Sequence, residues 1–459
     1  MSSMIKKVLP AFENQRQTTD FMLQEPRVFD TSDPGTGKTR SLLDTIYRLQ
    51  TEHDAGRALL FAPKSILVPA WFNDAKKFTP ELQLSVATAK NRAKAFMVPA
   101  DVYVTNHDAV KWVEQNLDLS SFDIIGIDES TAFKHRTSQR SKAMARIIRH
   151  FKYRYLLTGT PNPNTVLDLW HQLFLLDDGE RLTPNFFKFR NTVCEPTQVG
   201  PDPTMVKWHD KPGSEEAVAD IISDITIRHK FEECHDIPKN SIHMIEFDLT
   251  PAHLKMYNKL RDEAVLEVKD KTVTAVHAGS LANKLLQAAS GTVYNVEHEA
   301  VNLATERYEL AMQLADEREQ CVIAFAWTHQ RDQLIKIAER MGHTYAVIDG
   351  SVTDKKRQEA VENFQNGEIK DIFIQPQSGA HGLTLTKGTT TIWPSPIHNA
   401  EHFVQFNRRI YRAGQTRKTE TLLIAANETC DARVYDALQG KLNKMFSLLD
   451  ILQIDPEET

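Results

Sequence analysis

Apolar and polar residues alternate along this chain on two length scales. Short apolar runs, rich in β-branched and aromatic residues, are separated by longer stretches in which apolar residues recur at helical spacing. Each short run has the composition of a buried strand. In the first half of the chain these runs are RVFDT, ALLFAP, DVYVTN, FDIIGIDE and YRYLLTGTP. Strands that alternate with helices in this way predict a parallel sheet covered by helices.

A second series of the same kind follows in the other half of the chain. Its apolar runs are CVIAFAW, TYAVIDG, DIFIQPQ, TTIWPSP and TLLIAAN. The predicted fold class is therefore α/β, with two tandem domains that each contain a parallel sheet. We expect the first domain to cover residues 1–235 and the second to cover residues 236–459.

The segment between the two series has a different character. Residues 183–213 are rich in Pro, Gly and aromatic residues, which indicates an irregular insertion in the first domain. Residues 221–240 would then cross to the second domain. Two stretches with helical periodicity, residues 251–270 and 280–291, predict a helical protrusion at about residues 250–300, ahead of the second sheet.

Composition limits the compartment and the partners without defining a function. The chain has 459 residues, of which 41% are hydrophobic and 25% charged, as in an ordinary globular protein. No apolar run is long enough to span a membrane, so we expect no membrane partner. The expected location is the cytoplasm of a bacterium or of a phage-infected host cell. The net charge of −6 means that nucleic-acid binding would need positive charge concentrated in one place.

The cysteines are widely separated, which is typical of a reducing compartment. They are Cys194, Cys234, Cys321 and Cys430. Cys234 and His235 are adjacent and His229 is near, but no CxxC pair accompanies them. Ordinary packing is therefore favoured over a zinc site.

A glycine-rich stretch, DTSDPGTGKTRSLLD at residues 30–44, joins a predicted strand to a predicted helix. Gly35 and Gly37 let the backbone turn, so that N–H groups of the loop, including that of Thr36, approach phosphate oxygens. The N-terminus of the helix adds partial positive charge at the same place. This context is the one that a phosphate-binding loop requires.

The residues that follow the glycines carry the chemistry of the loop. Lys38 can neutralise the outer phosphates of a nucleotide, and the Thr39 hydroxyl can take a Mg²⁺ position. Ser32 stands where the usual pattern begins with Gly. The stretch predicts ATP or GTP binding, but kinases, GTPases, transporters and motors all use such loops.

Two carboxylates end a buried-type strand farther along the chain, in FDIIGIDESTAFKH. Asp128 can hold Mg²⁺, while Glu129 can orient or deprotonate the attacking water. A pair of this kind at a strand end, downstream of a phosphate loop, is typical of metal-assisted phosphoryl chemistry. The next strand runs into a hydroxyl-rich turn, LLTGTP at residues 156–161.

Two arginines stand late in the chain, in QFNRRIYRAGQ at residues 405–415. Arg409 and Arg412 are three positions apart, so on a helix they would project from one face. Two such guanidinium groups can stabilise charge on a transferred phosphoryl group as arginine fingers. The alternative is a solvated basic helix.

This ordered set resembles the superfamily 2 helicases, specifically the Swi/Snf-type DNA-dependent ATPases in the compact form carried by bacteriophages and bacteria. The resemblance extends from about Leu9 to Lys441. It implies two tandem RecA-like (P-loop NTPase) lobes, with ATP and Mg²⁺ in the cleft between them and DNA as the partner. The ending Arg412-Ala413-Gly414-Gln415 is the feature that most favours this branch.

The resemblance also implies roles for residues of the first lobe. Gln15 would read adenine, with Gln17 as the alternative, and the phosphate loop would be motif I. Thr158, Gly159 and Thr160 would couple the state of the γ-phosphate to lobe movement. The residues expected to meet nucleic acid in this lobe are Pro63, Ser65, Thr105, Asn106 and His107.

In the second lobe, the resemblance implies nucleic-acid contacts by Asp349, Gly350, Ser378 and Gly379. This lobe also departs from the family pattern. His381 stands where Gly is common, and Thr386 stands near the usual Asn.

The function predicted is an ATP-dependent DNA helicase or translocase, an ATP hydrolase that moves on duplex, forked or single-stranded DNA and unwinds or branch-migrates forks. We expect no stable protein partner to be required for ATPase activity. An RNA helicase and a non-motor nucleic-acid-binding module remain as alternatives. The basic run at residues 134–154 is interpreted as lining DNA or as a solvated helix face. Trp71, Trp327 and Trp393 could stack on bases of a nucleic acid, but we favour the interpretation that they are core residues.

Overall fold

A computed structural model describes residues 10–198, 205–270, 275–294, 300–302, 304–379 and 383–451. The chain divides into two compact units, one of Met1–Asp236 with Asn443–Thr459 and the other of Ile237–Leu442. The predicted boundary at residue 235 agrees with this division to within one residue. The difference is at the end of the chain, because residues 443–459 were predicted in the second domain and belong to the first unit. Each unit is an α/β domain around a parallel sheet, which confirms the predicted fold class.

The first unit contains a sheet of parallel strands in the order β3-β4-β2-β5-β6-β1-β9. Its elements are α1 (Glu13–Gln24), β1 (Arg27–Asp30), α2 (Lys38–Glu52), β2 (Arg57–Ala62), α3 (Asn73–Phe78), β3 (Leu84–Ala87), α4 (Arg92–Met97), β4 (Val102–Asn106), α5 (Val110–Asn116), β5 (Phe122–Asp128), α6 (Gln139–Ile147), β6 (Tyr153–Leu157), α7 (Leu167–Asp177), α8 (Phe186–Val193), β7 (Cys194–Gln198), β8 (Val206–Asp210), α9 (Ser214–Ile222), β9 (Thr226–Ile227) and α10 (Phe231–Cys234).

Strand order explains where the polar residues of this unit collect. β1, β5 and β6 lie side by side, so their carboxyl ends share one edge of the sheet. Helix α2 packs over them, with Leu42, Leu43 and Ile46 fully buried. Gly126 permits this approach, since a Cβ there would lie 2.6 Å from Leu60 Cδ2 and 2.8 Å from Leu42 Cδ2. The sheet therefore brings the predicted phosphate loop and the predicted carboxylates to one edge.

Parts of the first unit differ from the prediction. Residues 183–213 are not irregular throughout, because they contain α8 and an antiparallel hairpin of β7 and β8. The hairpin was missed because Pro and Gly in its sequence indicate turns. Strands β3 and β9 were also missed. β9 has two residues, too few to show periodicity, and it is defined by its pairing with β1.

The second unit contains a sheet of parallel strands in the order β10-β17-β16-β13-β15-β14. Its elements are β10 (Asn240–Phe247), α11 (Pro251–Asp270), α12 (Ala275–Ala289), β11 (Thr292–Tyr294), β12 (Ala300–Asn302), α13 (Glu306–Asp316), β13 (Cys321–Ala324), α14 (Thr328–Met341), β14 (Tyr345–Ile348), α15 (Asp354–Asn366), β15 (Asp371–Ile374), α16 (Pro376–Gly379), β16 (Thr390–Trp393), α17 (Ala400–Asn407) and β17 (Thr419–Ala426), and α18 (Asp431–Ile451) begins in it.

The helical protrusion is confirmed, since α11 and α12 precede most of the second sheet and a small antiparallel pair, β11 and β12, follows them. Neither strand of this small pair was predicted, and one strand of the six-stranded sheet was not predicted either. Residues 240–247 form β10, which pairs with β17 along its whole length, and its residues are mostly exposed. An edge strand of this kind has no buried alternating pattern by which to recognise it. Among the described residues, no helix has the length and apolar character needed to cross a membrane.

Candidate functional site

The phosphate loop, residues 31–37, connects the end of β1 to the first residue of α2. Gly35 has φ +96° and Gly37 has φ +93°, both in the left-handed region that favours glycine. Lys38 begins α2, so the amino end of this helix follows the loop directly. Backbone N–H groups at a turn and at a helix N-terminus are what an anionic polyphosphate requires. The loop therefore fits the phosphates of a nucleotide.

Helix α1 packs against this loop and is hydrogen-bonded to it. Gln15 is buried against it, and a Cβ on Gly37 would collide with the Gln15 side chain. Asn14 Nδ2 donates to the Thr36 carbonyl at 2.8 Å, and Gln15 Oε1 accepts from Phe12 N at 3.0 Å. Gln17, the alternative adenine reader, is exposed. The structure thus brings Gln15 rather than Gln17 to the phosphate loop.

Lys38 and Thr39 lie half-buried at the start of α2. The Lys38 ammonium donates to two loop carbonyls, that of Ser32 at 2.5 Å and that of Asp33 at 3.1 Å. The Thr36 hydroxyl, which is buried, donates to the same Asp33 carbonyl at 2.8 Å. The cation therefore lies over the loop that would cradle the phosphates, as the predicted neutralising role demands.

The predicted carboxylates stand at the end of β5. Trp71 Nε1 donates to Asp128 Oδ2 at 3.1 Å, and the Glu129 N–H donates to Asp128 Oδ1 at 3.1 Å. Burial raises the pKa of Asp128, and the Lys38 ammonium opposes this rise. Glu129 has φ +53°, a left-handed conformation that is costly for a residue with a Cβ. This kink turns the chain directly after the strand and sets the direction of the Glu129 side chain.

The Thr158-Gly159-Thr160 turn contacts the phosphate loop. A Cβ on Gly159 would lie 2.6 Å from Pro34 Cδ, and the Thr158 N–H donates to the Asp30 carbonyl at 3.0 Å. Both threonines are fully buried. The turn therefore lies where a change in the loop would displace it, which is the geometry that a coupling role needs.

The contacts of Trp71 and Gln172 within the site were not predicted, although Trp71 was correctly interpreted as a core residue. Gln172 is fully buried in α7, where its Oε1 accepts from Ser130 Oγ at 2.6 Å and its Nε2 donates to the Pro161 carbonyl at 2.8 Å. It thereby joins the segment after the carboxylates to the segment after Gly159. Trp71 is 57 positions from its acceptor, and no local pattern signals a contact at that separation.

The residues expected to meet nucleic acid in the first unit are placed differently from one another. Ser65 is half-buried in a short 3-10 turn that follows the buried Pro63, and Lys64 beside it is exposed. Thr105 is interior, because its hydroxyl donates to the Ala87 carbonyl at 2.7 Å. Asn106 is partly exposed, and its Oδ1 accepts from Arg92 at 3.1 Å.

His107 is also interior and serves the carboxylate segment. Burial lowers the pKa of His107 to about 4, so the ring is neutral at pH 7. Its Nε2–H donates to the Asp128 backbone carbonyl at 2.7 Å. Thr105 and His107 therefore support the sheet edge instead of presenting side chains at the surface.

In the second unit, the segments after β14 and β15 come together. Gly350 lies beside Ser378, since a Cβ on it would be 3.8 Å from Ser378 Oγ. The Asp349 carboxylate pairs with Arg331 at 2.8 Å and accepts from Ser351 Oγ at 2.6 Å. Gly379 ends the short helix α16. His381, the departure from the family pattern, lies outside the described residues.

Arg409 and Arg412 are not on a helix, so the helical spacing considered for them does not apply. Helix α17 ends at Asn407, and both arginines lie in the irregular turn that follows it. They nevertheless face the same way, because Arg409 donates to the Leu383 carbonyl at 3.2 Å and Arg412 donates to it at 2.8 Å. Arg409 is buried and Arg412 is half-buried.

Gln415, the last residue of the Arg-Ala-Gly-Gln ending, explains why the chain leaves the helix. Its Nε2 donates to the carbonyls of Thr386, Gly388 and Ile410, and its Oε1 accepts from the next two backbone N–H groups. Gly414 before it has φ +94°. The buried amide therefore closes the turn that carries the arginines.

The basic run at residues 134–154 is largely paired within the first unit. Arg140 bonds Asp108 at 3.0 Å, Arg146 bonds Glu114, and Arg149 and Arg154 both bond Asp178. Trp71 and Trp393 are core residues, each about 1% exposed. In the described part of the chain, no cluster of three or more acidic, histidine or cysteine side chains could hold a metal by itself. Mg²⁺ bound through nucleotide phosphates needs no such cluster.

These features define the class of the protein: an α/β ATPase with two tandem RecA-like domains. The family model of the SNF2-related domain matches residues 29–292, and that of the helicase conserved C-terminal domain matches residues 306–414. The chain belongs to the SNF2-related family, within the superfamily 2 helicases, as the ordered motifs predicted. It is accordingly an ATP hydrolase.

Individual relatives are distant. The chain is 26% identical over 428 residues to protein p41 of Acyrthosiphon pisum secondary endosymbiont phage 1, covering 89% of this chain and 91% of that protein. It is 24% identical to the mouse DNA annealing helicase and endonuclease ZRANB3, covering 91% of this chain but 38% of that protein. Among solved structures, the Sulfolobus solfataricus SWI2/SNF2 ATPase core in complex with dsDNA is 21% identical, with 98% and 96% of the two chains covered and a TM-score of 0.44.

Proposed function

We propose that this protein is a DNA-dependent ATPase that translocates along DNA, and that its movement unwinds or branch-migrates forks. The observation that carries the proposal is the edge of the first sheet, where Lys38, Asp128 and the Thr158-Gly159-Thr160 turn meet around one loop. Membership of the SNF2-related family and the names of relatives such as the DNA annealing helicase support DNA as the track.

In this proposal, ATP is bound by the first unit. Gln15 reads adenine, and the N–H groups of Gly35, Thr36 and Gly37 receive the phosphates together with the Lys38 ammonium. Thr39 and Asp128 would hold Mg²⁺. When bound, Mg²⁺ neutralises charge on the phosphate oxygens.

Hydrolysis needs an oriented water and compensation of the developing charge. Glu129, whose left-handed backbone directly follows β5, accepts a proton from the attacking water. Arg409 and Arg412 of the second unit supply guanidinium charge to the transferred phosphoryl group. The Thr158-Gly159-Thr160 turn, which contacts Pro34, passes the state of the phosphate loop to the rest of the first unit.

DNA is bound through its backbone, independently of sequence. In the first unit, the contacts with the DNA backbone are made by Ser65, by the backbone at Pro63 and by Asn106 of the next motif. The adjoining Gly350 and Ser378, together with Asp349 and Gly379, serve the second unit. Phosphate contacts of this type position a protein without reading bases, and they weaken as salt increases. We expect no membrane partner and no protein partner to be required for ATPase activity.

The test compares ATPase rates with plain duplex, forks, single-stranded DNA and RNA, and measures strand displacement on the forks. DNA should stimulate hydrolysis, and the stimulation should decline with salt. A Lys38→Ala variant should keep DNA binding and lose turnover. Stimulation by RNA alone would replace the DNA motor with an RNA helicase, and normal DNA-stimulated hydrolysis by Lys38→Ala would refute the assigned site. Stimulation without strand displacement would leave a translocase and remove the unwinding step.

A further inference from the structure

A segment near the end of the first unit follows the phosphate loop from one end to the other. This bordering segment, residues 226–235, begins as β9, which pairs with β1 at Phe29 and Asp30. It then continues beyond the sheet. The Thr31 N–H donates to the Ile227 carbonyl at 2.9 Å, and the Asp33 N–H donates to the His229 carbonyl at 3.0 Å.

Side chains extend this contact toward the glycines. The His229 N–H donates to Ser32 Oγ at 3.0 Å, and the Phe231 N–H donates to Asp33 Oδ2 at 3.1 Å. Farther along, the His235 ring nitrogen lies 3.3 Å from the Gly35 carbonyl. Residues 31–35 of the phosphate loop are thus hydrogen-bonded to the bordering segment, although these loop residues are not part of the sheet.

The charged centre of this contact is a buried ion pair. Arg228 NH1 lies 3.1 Å from Asp33 Oδ1, with side chains that are 2% and 8% exposed. The same guanidinium nitrogen donates to the Thr31 carbonyl at 2.9 Å. Charge-assisted bonds from a planar guanidinium hold their acceptors in a narrow range of directions. Arg228 therefore fixes both the backbone at residue 31 and the side chain at residue 33.

Asp33 links this pair to the lysine. Its carbonyl accepts from the Lys38 ammonium at 3.1 Å and from the Thr36 hydroxyl at 2.8 Å. A displacement of Asp33 would therefore move the acceptors that hold Lys38 and the residue between the two glycines.

We propose that Arg228 is a positioning residue for ATP: it sets the phosphate loop, through Asp33 and the Thr31 carbonyl, in the conformation that receives the phosphates. This role rests on the proposed nucleotide site. Arg228 does not touch the nucleotide. It acts by keeping the loop amides and Lys38 prearranged, so that binding does not have to order them.

Arg154 supplies a matched comparison within the same unit. Its guanidinium is also buried, donates to the carbonyls of Leu175 and Leu176, and pairs with Asp178 at 2.8 Å. These partners lie in and after α7 and not in the phosphate loop. Loss of either arginine should weaken the fold, but only loss of Arg228 should change nucleotide affinity.

The experiment measures the dissociation constant for ATP with a fluorescent ATP analogue, KM and kcat for ATP, and thermal unfolding, for the full chain. Arg228→Gln should raise the dissociation constant and KM about tenfold or more, the effect of losing one hydrogen bond to a charged group. Arg228→Lys keeps the charge but not the planar fork, so it should recover part of the affinity. Arg154→Gln should lower the unfolding temperature and leave the ATP affinity unchanged.

Lys38→Ala separates this inference from the proposed site. If Lys38→Ala weakens ATP binding while Arg228→Gln binds as the wild type does, the positioning role is wrong and the nucleotide site stands. If Arg228→Gln does not fold, a wild-type affinity in Arg228→Lys overturns the role in the same way. If Lys38→Ala itself binds ATP normally, the nucleotide site is wrong and the inference falls with it.

Discussion

The two units contain similar parallel sheets but hold their proposed site residues in different ways. In the first unit, Asp128 is bonded by Trp71 and, through its carbonyl, by His107, and these partners come from separate elements. In the second unit, Arg409 and Arg412 lie in a turn beyond the end of α17 and share the Leu383 carbonyl.

The difference teaches where precision is built into this protein. Groups held from several elements have one direction, which suits a site that must present charge to phosphates without rearrangement. Arg409 and Arg412 instead take their position from one turn, which Gln415 closes. The variants below compare what the residues of the two units contribute.

The largest effect is expected for the second unit. Arg412→Ala should reduce kcat of DNA-stimulated hydrolysis by about 10³-fold or more, because an arginine finger compensates charge in the transition state. Thermal unfolding should change little, since Arg412 is half-buried. Arg408→Ala, on the same turn, is the control and should retain activity. A kcat within about tenfold of the wild type would remove Arg412 from the reaction.

Next in size is Glu129→Gln in the first unit. Loss of the base should reduce kcat by about 10²–10⁴-fold while ATP still binds, because the amide keeps the shape of the carboxylate. Single-turnover hydrolysis and ATP binding measure the two properties separately. Asp123→Asn, on the strand that precedes Glu129, is the control, since its carboxylate accepts from the Gly56 N–H at 2.7 Å. Equal losses in both variants would argue against a special role for Glu129.

A smaller effect is expected where the coupling turn meets the phosphate loop. Gly159→Ala places a methyl group 2.6 Å from Pro34 Cδ, so the turn must shift, at a cost of about 1–3 kcal/mol in the free energy of unfolding. DNA stimulation of the ATPase should fall more than the basal rate. Gly440→Ala, which meets no atom within 4 Å, is the control. An unchanged stimulation would mean that this contact does not transmit the nucleotide state.

The smallest effect is expected for Gln172→Leu. It removes the bonds to Ser130 and Pro161, each worth about 1 kcal/mol. Ser130→Ala and the double variant complete a cycle, read out as the free energy of unfolding and as DNA-stimulated kcat. The two single effects should not add, because both variants break the same contact. Strict additivity would show that the bond between Gln172 and Ser130 contributes nothing to stability or activity.

Much of the catalytic edge could be predicted because its chemistry is local in sequence. The loop from Ser32 to Lys38 contains its own glycines, cation and following helix, and the strand before Asp128 is continuous and apolar. Such signals survive in any fold that supplies a parallel sheet. The helices at residues 251–270 and 280–291 were likewise predicted, since their periodicity is long.

Predictions failed where a short segment takes its structure from a distant partner. β9 is only two residues long and is defined as a strand by its pairing with β1. β10 is a mostly exposed edge strand that pairs with β17. Helix α17 ends before Arg409 and Arg412, and Gln415 binds the carbonyls of Thr386 and Ile410 in the turn that follows. Thr105 and His107, expected at a nucleic-acid surface, lie inside.

The sequence alone determined the class of the protein, its ATP chemistry and the order of its motifs, because each motif packs its functional groups within a few residues. The tertiary structure alone decided what holds those groups. Trp71 reaches Asp128 across 57 positions, Gln172 reaches Ser130 across 42, and Arg228 reaches Thr31 across 197. Hydrogen bonds between such distant residues leave no periodic trace in the chain, because they depend on which strands the sheet makes neighbours.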